Sequence, residues 1–277
     1  TAKLWAVRTA ASREPPMTGG PGAPSPGREA EATSTEPLAT LPHPAYVYTG
    51  RFQPARQRGG GAAADAQKRM LLVTGAADGA LRLWDARSGA LLATRISHDA
   101  HVNAAVWLAD GARLFSADAA GALRLWEVAA GGGSARSAEL RCAQQIEKKE
   151  VAGVPINSLA LHPTRRRLLM QLRNHTLLSL DTRMLHFSAR YSGHTCSKYH
   201  IRAAYSPDGR FVVAGSEDGS LYMWQEETGD LLIDGIAIGL AGPLLQARAL
   251  ARACSPHPDP ITRHHTRARS SRGARTT

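Results

Sequence analysis

Cysteine is scarce in this chain: Cys142, Cys196 and Cys254 are the only three in 277 residues, and no pair has C-x-x-C spacing. That excludes a disulfide framework or a thiolate zinc site as the organising device and suits a reducing intracellular compartment. Aromatic residues make up only 5%, which favours many small turn-rich strands over one thick core. Long apolar runs are missing too, since the richest stretch, 231–250, is broken by Asp234, Pro243 and Arg248; no membrane span is expected. There is no G-x-x-x-x-G-K-[ST] phosphate loop and no G-x-S-x-G nucleophile elbow. The glycine runs 59–61 and 131–133 lack the lysine or helix that a phosphate site needs.

Candidate chemistry is equally thin. Among eleven histidines, His98 and His101 are three apart and His264 and His265 adjacent, but neither pair has a third ligand at workable spacing. No metal and no cofactor is expected. Asp78, Asp208 and Asp218 each precede a glycine, where aspartate is favoured by local backbone bonding in a turn. These carboxylates therefore read as turn residues, and an enzyme is not expected.

What is present is repetition. SPDGRFVVAGSEDGSLYMW at 206–224 contains two Asp-Gly turn signals and two strand patterns, which together read as a hairpin. The same shape recurs at 71–85 and 113–128, and more weakly at 167–183. Its strand-end anchors Trp84, Trp126, Leu180 and Trp224 are separated by 42, 54 and 44 residues. Four-stranded propeller blades repeat at roughly 40–45 residues.

The formal charge of +11 suggests nucleic acid until it is located. Residues 246–277 hold seven arginines against Asp259, a net of +6, so a basic tail at 241–277 is expected to attract anions only non-specifically. No basic stripe interleaved with aromatics runs through the repeats, so specific nucleic-acid binding is not expected. The dense cluster Arg165-Arg166-Arg167 falls at a turn. Residues 9–40 are too poor in large apolar side chains to offset ordering entropy and read as a linker. Residues 1–8 read as the end of a preceding blade, with Trp5 as its anchor, and 41–240 as the propeller region. The chain opens on Thr1, so a fragment is expected.

Trp84-Asp85, Trp126-Glu127, Leu180-Asp181 and Trp224-Gln225, with Gly193-His194, resemble the WD-repeat (β-transducin-like) family. The resemblance implies an all-β WD-repeat β-propeller with about four recognisable blades plus partial ones, an incomplete ring where the family has about seven. It also implies a hydrogen-bonded chain within each blade: His194, Ser216, Asp218 and Trp224 in the clearest repeat, and His98, Ser116 and Trp126 with Ala120 at the turn-aspartate position. Asp78 and Trp84 take matching places in another, while the repeat ending at Leu180 lacks the set and is expected to be the least ordered. LPHPAYVYTGRFQP and GVPINSLALHP are further similar to a member of that family that is a ciliary scaffold. This implies a non-enzymatic protein-interaction platform in cilium assembly, with partners among transition-zone or basal-body proteins and a place at the basal body or transition zone. The alternative is a substrate-receptor or regulatory subunit of a ubiquitin ligase or another intracellular complex.

Overall fold

The computed structural model describes residues 1–4, 37–54, 70–130 and 138–237. Trp5, residues 9–36 of the expected linker, residues 55–69 and 131–137, and the 241–277 tail with Cys254, His264 and His265 lie outside the described residues, whereas Ala39 and Thr40 at the end of the expected linker belong to a strand. Among the described residues every regular element is a strand.

Four antiparallel four-stranded sheets follow one another along the chain. The first blade is β3 (Val47–Phe52), β4 (Leu71–Ala76), β5 (Ala80–Asp85) and β6 (Leu91–Ile96). The second is β7 (Val102–Trp107), β8 (Arg113–Asp118), β9 (Leu123–Ala130) and β10 (Ala138–Ile146). The third is β11 (Ile156–Leu161), β12 (Arg167–Leu172), β13 (Thr176–Asp181) and β14 (Phe187–Ser192). The fourth is β15 (Ala203–Tyr205), β16 (Phe211–Gly215), β17 (Ser220–Gln225) and β18 (Leu231–Ala237). Ahead of them β1 (Ala2–Leu4) pairs antiparallel with β2 (Ala39–Leu41). The opening strands β3, β7, β11 and β15 touch in succession and form the inner line of the array.

Side chains alternate across a strand, so each blade gives one face to the preceding blade and one to the next. Leu72 and Trp84 turn back toward Leu41 and the short β1–β2 sheet, whereas Val73, Leu81 and Leu83 turn forward onto Val102, Leu114 and Trp126. Phe115 and Leu123 meet Leu168, Met170 and Leu180; Leu169, Leu177 and Tyr191 meet Val212, Tyr222 and Trp224. Burial on both faces explains why these strands are apolar throughout, and each fully buried large side chain contributes about 1.5–3 kcal/mol.

The architecture is an all-β WD-repeat β-propeller, and no sheet among the described residues closes on itself. Two edge strands, β10 and β14, give no clear sequence signal; β10 is mostly exposed and lacks the alternation that marks a half-buried strand. The sheet ending at Leu180 is as complete as its neighbours, with Leu168, Met170 and Leu180 at 0% exposure. Apolar packing replaces the polar chain there, which is why the expectation of weak order does not describe it.

Candidate functional site

The ladder register defines equivalent positions in the blades. Trp84 lies opposite Leu72 with Thr74 opposite Arg82, and Trp126 opposite Leu114 with Ser116 opposite Arg124. A hydroxyl on the second strand thus stands ten residues before the indole of the third.

In the second blade the Trp126 indole N–H donates to Ser116 Oγ at 2.8 Å. Ser116 Oγ lies 2.6 Å from His98 Nε2, and His98 Nδ1 lies 2.8 Å from Asp118 Oδ2. With the ring proton assigned to Nδ1, Trp126, Ser116 and His98 each donate once along the chain, which ends on the Asp118 carboxylate as acceptor. Burial works against the Asp118 charge, but the bonds from His98 and from the Ala122 and Ala120 N–H groups hold its pKa below the ordinary value. Arg124 approaches the same carboxylate at 3.8 Å. The carboxylate comes from Asp118, eight residues before the tryptophan, and not from the turn position of Ala120, six before it.

The first blade builds a related chain with a residue that sequence reasoning missed. Trp84 donates to Thr74 Oγ1 at 2.9 Å, Thr74 Oγ1 lies 2.8 Å from His43 Nε2, and His43 Nδ1 donates to the Leu41 carbonyl at 2.9 Å. Like His98, His43 precedes its blade's first strand by four residues; that offset was the available signal. Asp78 stands apart from this chain and pairs with Arg82 at 2.5 Å.

In the fourth blade His194, Ser216, Asp218 and Trp224 are neighbours but not one chain. The register puts Ala214 opposite Tyr222, so an alanine fills the hydroxyl position and Ser216 is two residues further along. Trp224 donates instead to the Ser192 carbonyl at 3.0 Å. Ser216 Oγ accepts from the Thr195 N–H at 2.9 Å, and Asp218 accepts from the Ser220 N–H and the Tyr222 hydroxyl. His194 stands edge-on to Trp224, with Nε2 against the Gln171 amide at 2.9 Å. Burial, then nearby His175, pushes its pKa down to about 4. The extra residues after His194 are held by Glu217, whose Oε1 accepts from the Ser197, Lys198 and Tyr199 N–H groups. Those bonds, the one from Tyr199 foremost, bring its carboxyl to about 2.

At the end of the blades opposite these histidines, neighbours are stitched together across seams. Between the first and second blades, Gln53 Nε2 donates to the Gly111 carbonyl and the Trp107 indole to the Arg51 carbonyl at 2.9 Å. Between the third and fourth, His162 Nε2 donates to the Gly209 carbonyl at 2.9 Å, Arg167 pairs with Glu226 and the Tyr191 hydroxyl donates to the Glu226 carbonyl at 2.9 Å. Gly209 has a φ of 77°, and a Cβ there would meet His162 at 2.3 Å, so only glycine fits beneath that ring.

These polar groups are spent on holding blades together. No group of three or more potential metal ligands occurs among the described residues, and no helix among them is long and apolar enough to cross a membrane. The geometry is that of WD-repeat blades. The model of the WD domain, G-beta repeat, matches residues 89–127 and 186–225, so the chain carries WD repeats there. Within that class it is similar to jouberin: 32% identical to the Mus musculus protein over 206 residues, covering 72% of this chain and 18% of that one. Jouberin of Rattus norvegicus is 33% identical over 208 residues with the same coverage. The chain thus spans about a fifth of the length of these relatives. Autophagy-related protein 16 of Arabidopsis thaliana is 30% identical over 165 residues, 58% of this chain and 30% of that protein.

Proposed function

We propose that this chain is a non-enzymatic interaction scaffold that acts in cilium assembly at the basal body or transition zone. The observation that carries the reading is the extent of the similarity to jouberin, 206 residues, well beyond the two repeats matched by the generic repeat model. A propeller supplies a rigid strand array that presents turns at both ends, and turns so held are where binding residues concentrate. In this reading residues 41–240 are the platform, 9–40 a linker and 241–277 a tail that attracts anions. The partners are transition-zone or basal-body proteins.

The test is to tag the full-length protein in a ciliated cell and to remove it. The reading expects a basal-body signal and defective cilia on loss; a protein that stays away from the basal body, and whose loss leaves cilia normal, overturns it. Affinity purification adds a second readout. Recovery of ligase adaptor subunits in place of transition-zone proteins would shift the assignment to a ubiquitin-ligase receptor.

A further inference from the structure

Of the three seams between successive blades, the middle one is built differently. Gln53 and His162 each follow the inner strand of their blade and reach the carbonyl of a turn glycine in the next blade. The equivalent residue of the second blade is Leu108, which has no polar group to donate, and the turn residue facing it is Arg165 in place of glycine. At the seam between the third and fourth blades Arg167 finds Glu226. Its counterpart Arg113 would face Thr182, and pairs instead with Asp110 of its own turn at 2.8 Å. The middle seam is left as a groove of about 560 Å³ lined by Leu108, Asp110, Leu125, Arg165, Arg183 and Leu185 among others.

Two of those lining residues hold a backbone conformation that suits glycine. Arg165 has φ 67°, where Gly111 and Gly209 take 60° and 77°; Leu185 has φ 53°, where Gly89 and Gly229 take 70° and 77°. The local bonds are otherwise the same: Arg165 N–H to the His162 carbonyl matches Gly209 to Ser206, and Leu185 to Asp181 matches Gly89 to Asp85. Side chains at positive φ are strained, and a large one such as leucine is an outlier. Here strain places a guanidinium and an isobutyl group in the same groove. Among the described residues no carboxylate lies within ion-pair distance of Arg165, Arg166 or Arg183, and Met184 beside them is 76% exposed.

We propose that the groove between the second and third blades is a docking site for an acidic, leucine-type peptide segment of a partner protein. A carboxylate of the peptide sits between Arg165 and Arg183, and an apolar side chain lies against Leu108, Leu125 and Leu185. Arginine forks match carboxylates in two bonds, and Arg165 and Arg183, which have no ion-pair partner among the described residues, supply the charge complementarity, although Asp181 lies near enough to Arg183 for its charge to be felt. This deepens the scaffold reading and rests on it only in taking the partner to be a protein.

The test uses the full chain and a fluorescein-labelled octapeptide of alternating glutamate and leucine, read by anisotropy. Saturable binding that weakens with salt is expected, with Arg183→Ala and Arg165→Gly each weakening it at least fivefold and Arg210→Ala, at the neighbouring seam, leaving it unchanged. Arg165→Gly is also expected to raise the thermal midpoint by roughly 2–4 °C, since it relieves the turn. Binding lost while stability rises is a pair of effects that a purely structural arginine does not give. The proposal falls if the lysine-leucine analogue binds as tightly, if both groove variants bind normally, or if a short RNA outcompetes the peptide at the same arginines. A protein that reaches the basal body but ignores the peptide loses this groove and keeps the scaffold reading.

Discussion

The second and third blades share a backbone and differ in what fills it. Where the second places Trp126, Ser116 and Arg124, the third places Leu180, Met170 and Leu178 at the same register positions. The indole of one and the isobutyl group of the other are both almost completely buried. The fold therefore requires that the space be filled, and the polar chain is one of two ways to fill it. The two ways fail differently. An apolar filling loses stability in proportion to the atoms removed, whereas a buried polar chain leaves the neighbours of a lost member without their partner.

The largest effect that distinguishes the two is expected from Asp118→Ala, which strands His98 and Arg124 beside a missing charge. A loss of about 3–5 kcal/mol in urea unfolding is expected; a loss under about 1 kcal/mol would show that the pair adds nothing over apolar packing. Leu180→Ala in the third blade should cost about 2–5 kcal/mol by opening a cavity, measured in the same way. That cost should shrink with Leu180→Met, a change of similar volume, to less than about 1.5 kcal/mol.

His194, against the third blade's Gln171, gives a pH signature. Its folded pKa of about 4 lies below the ordinary 6.5, so the unfolded chain takes up a proton first as pH falls. Stability is therefore full above pH 6.5 and declines between 6.5 and 4, with a change on the order of 3 kcal/mol. His194→Asn should flatten that slope in unfolding curves taken across the range. A more modest effect than that of Asp118→Ala is expected from Ser116→Ala, which removes the acceptor of Trp126 and a partner of His98 for about 1–3 kcal/mol. If the loss is no greater than for a serine-to-alanine change on the exposed face, such as Ser188→Ala, the chain acts as three separate contacts.

The propeller was legible because Trp84, Trp126, Leu180 and Trp224 recur 42, 54 and 44 residues apart in similar strand patterns. The polar chains were less so. His43 was hidden because the stretch at 55–69 sets it 31 positions before Thr74, against 18 from His98 to Ser116. Asp118 escaped because its carboxylate comes from the strand end and not from the turn. Ser216 looked correct in the string, but pairing sets the register, and pairing puts Ala214 in its place. Leu185 and Arg165 could not be recognised as strained from the sequence, since positive φ is a property of the closed turn and not of the residue type.

Each four-stranded sheet is a meander of consecutive strands, the third running only from Ile156 to Ser192. Contacts of that kind are short in sequence and form quickly, so a blade emerging from the ribosome can pair its four strands before the next one is made. The β1–β2 pair is the exception, because it joins Leu4 to Ala39 across a long intervening stretch. During synthesis that pair cannot form until Ala39–Leu41 has been made.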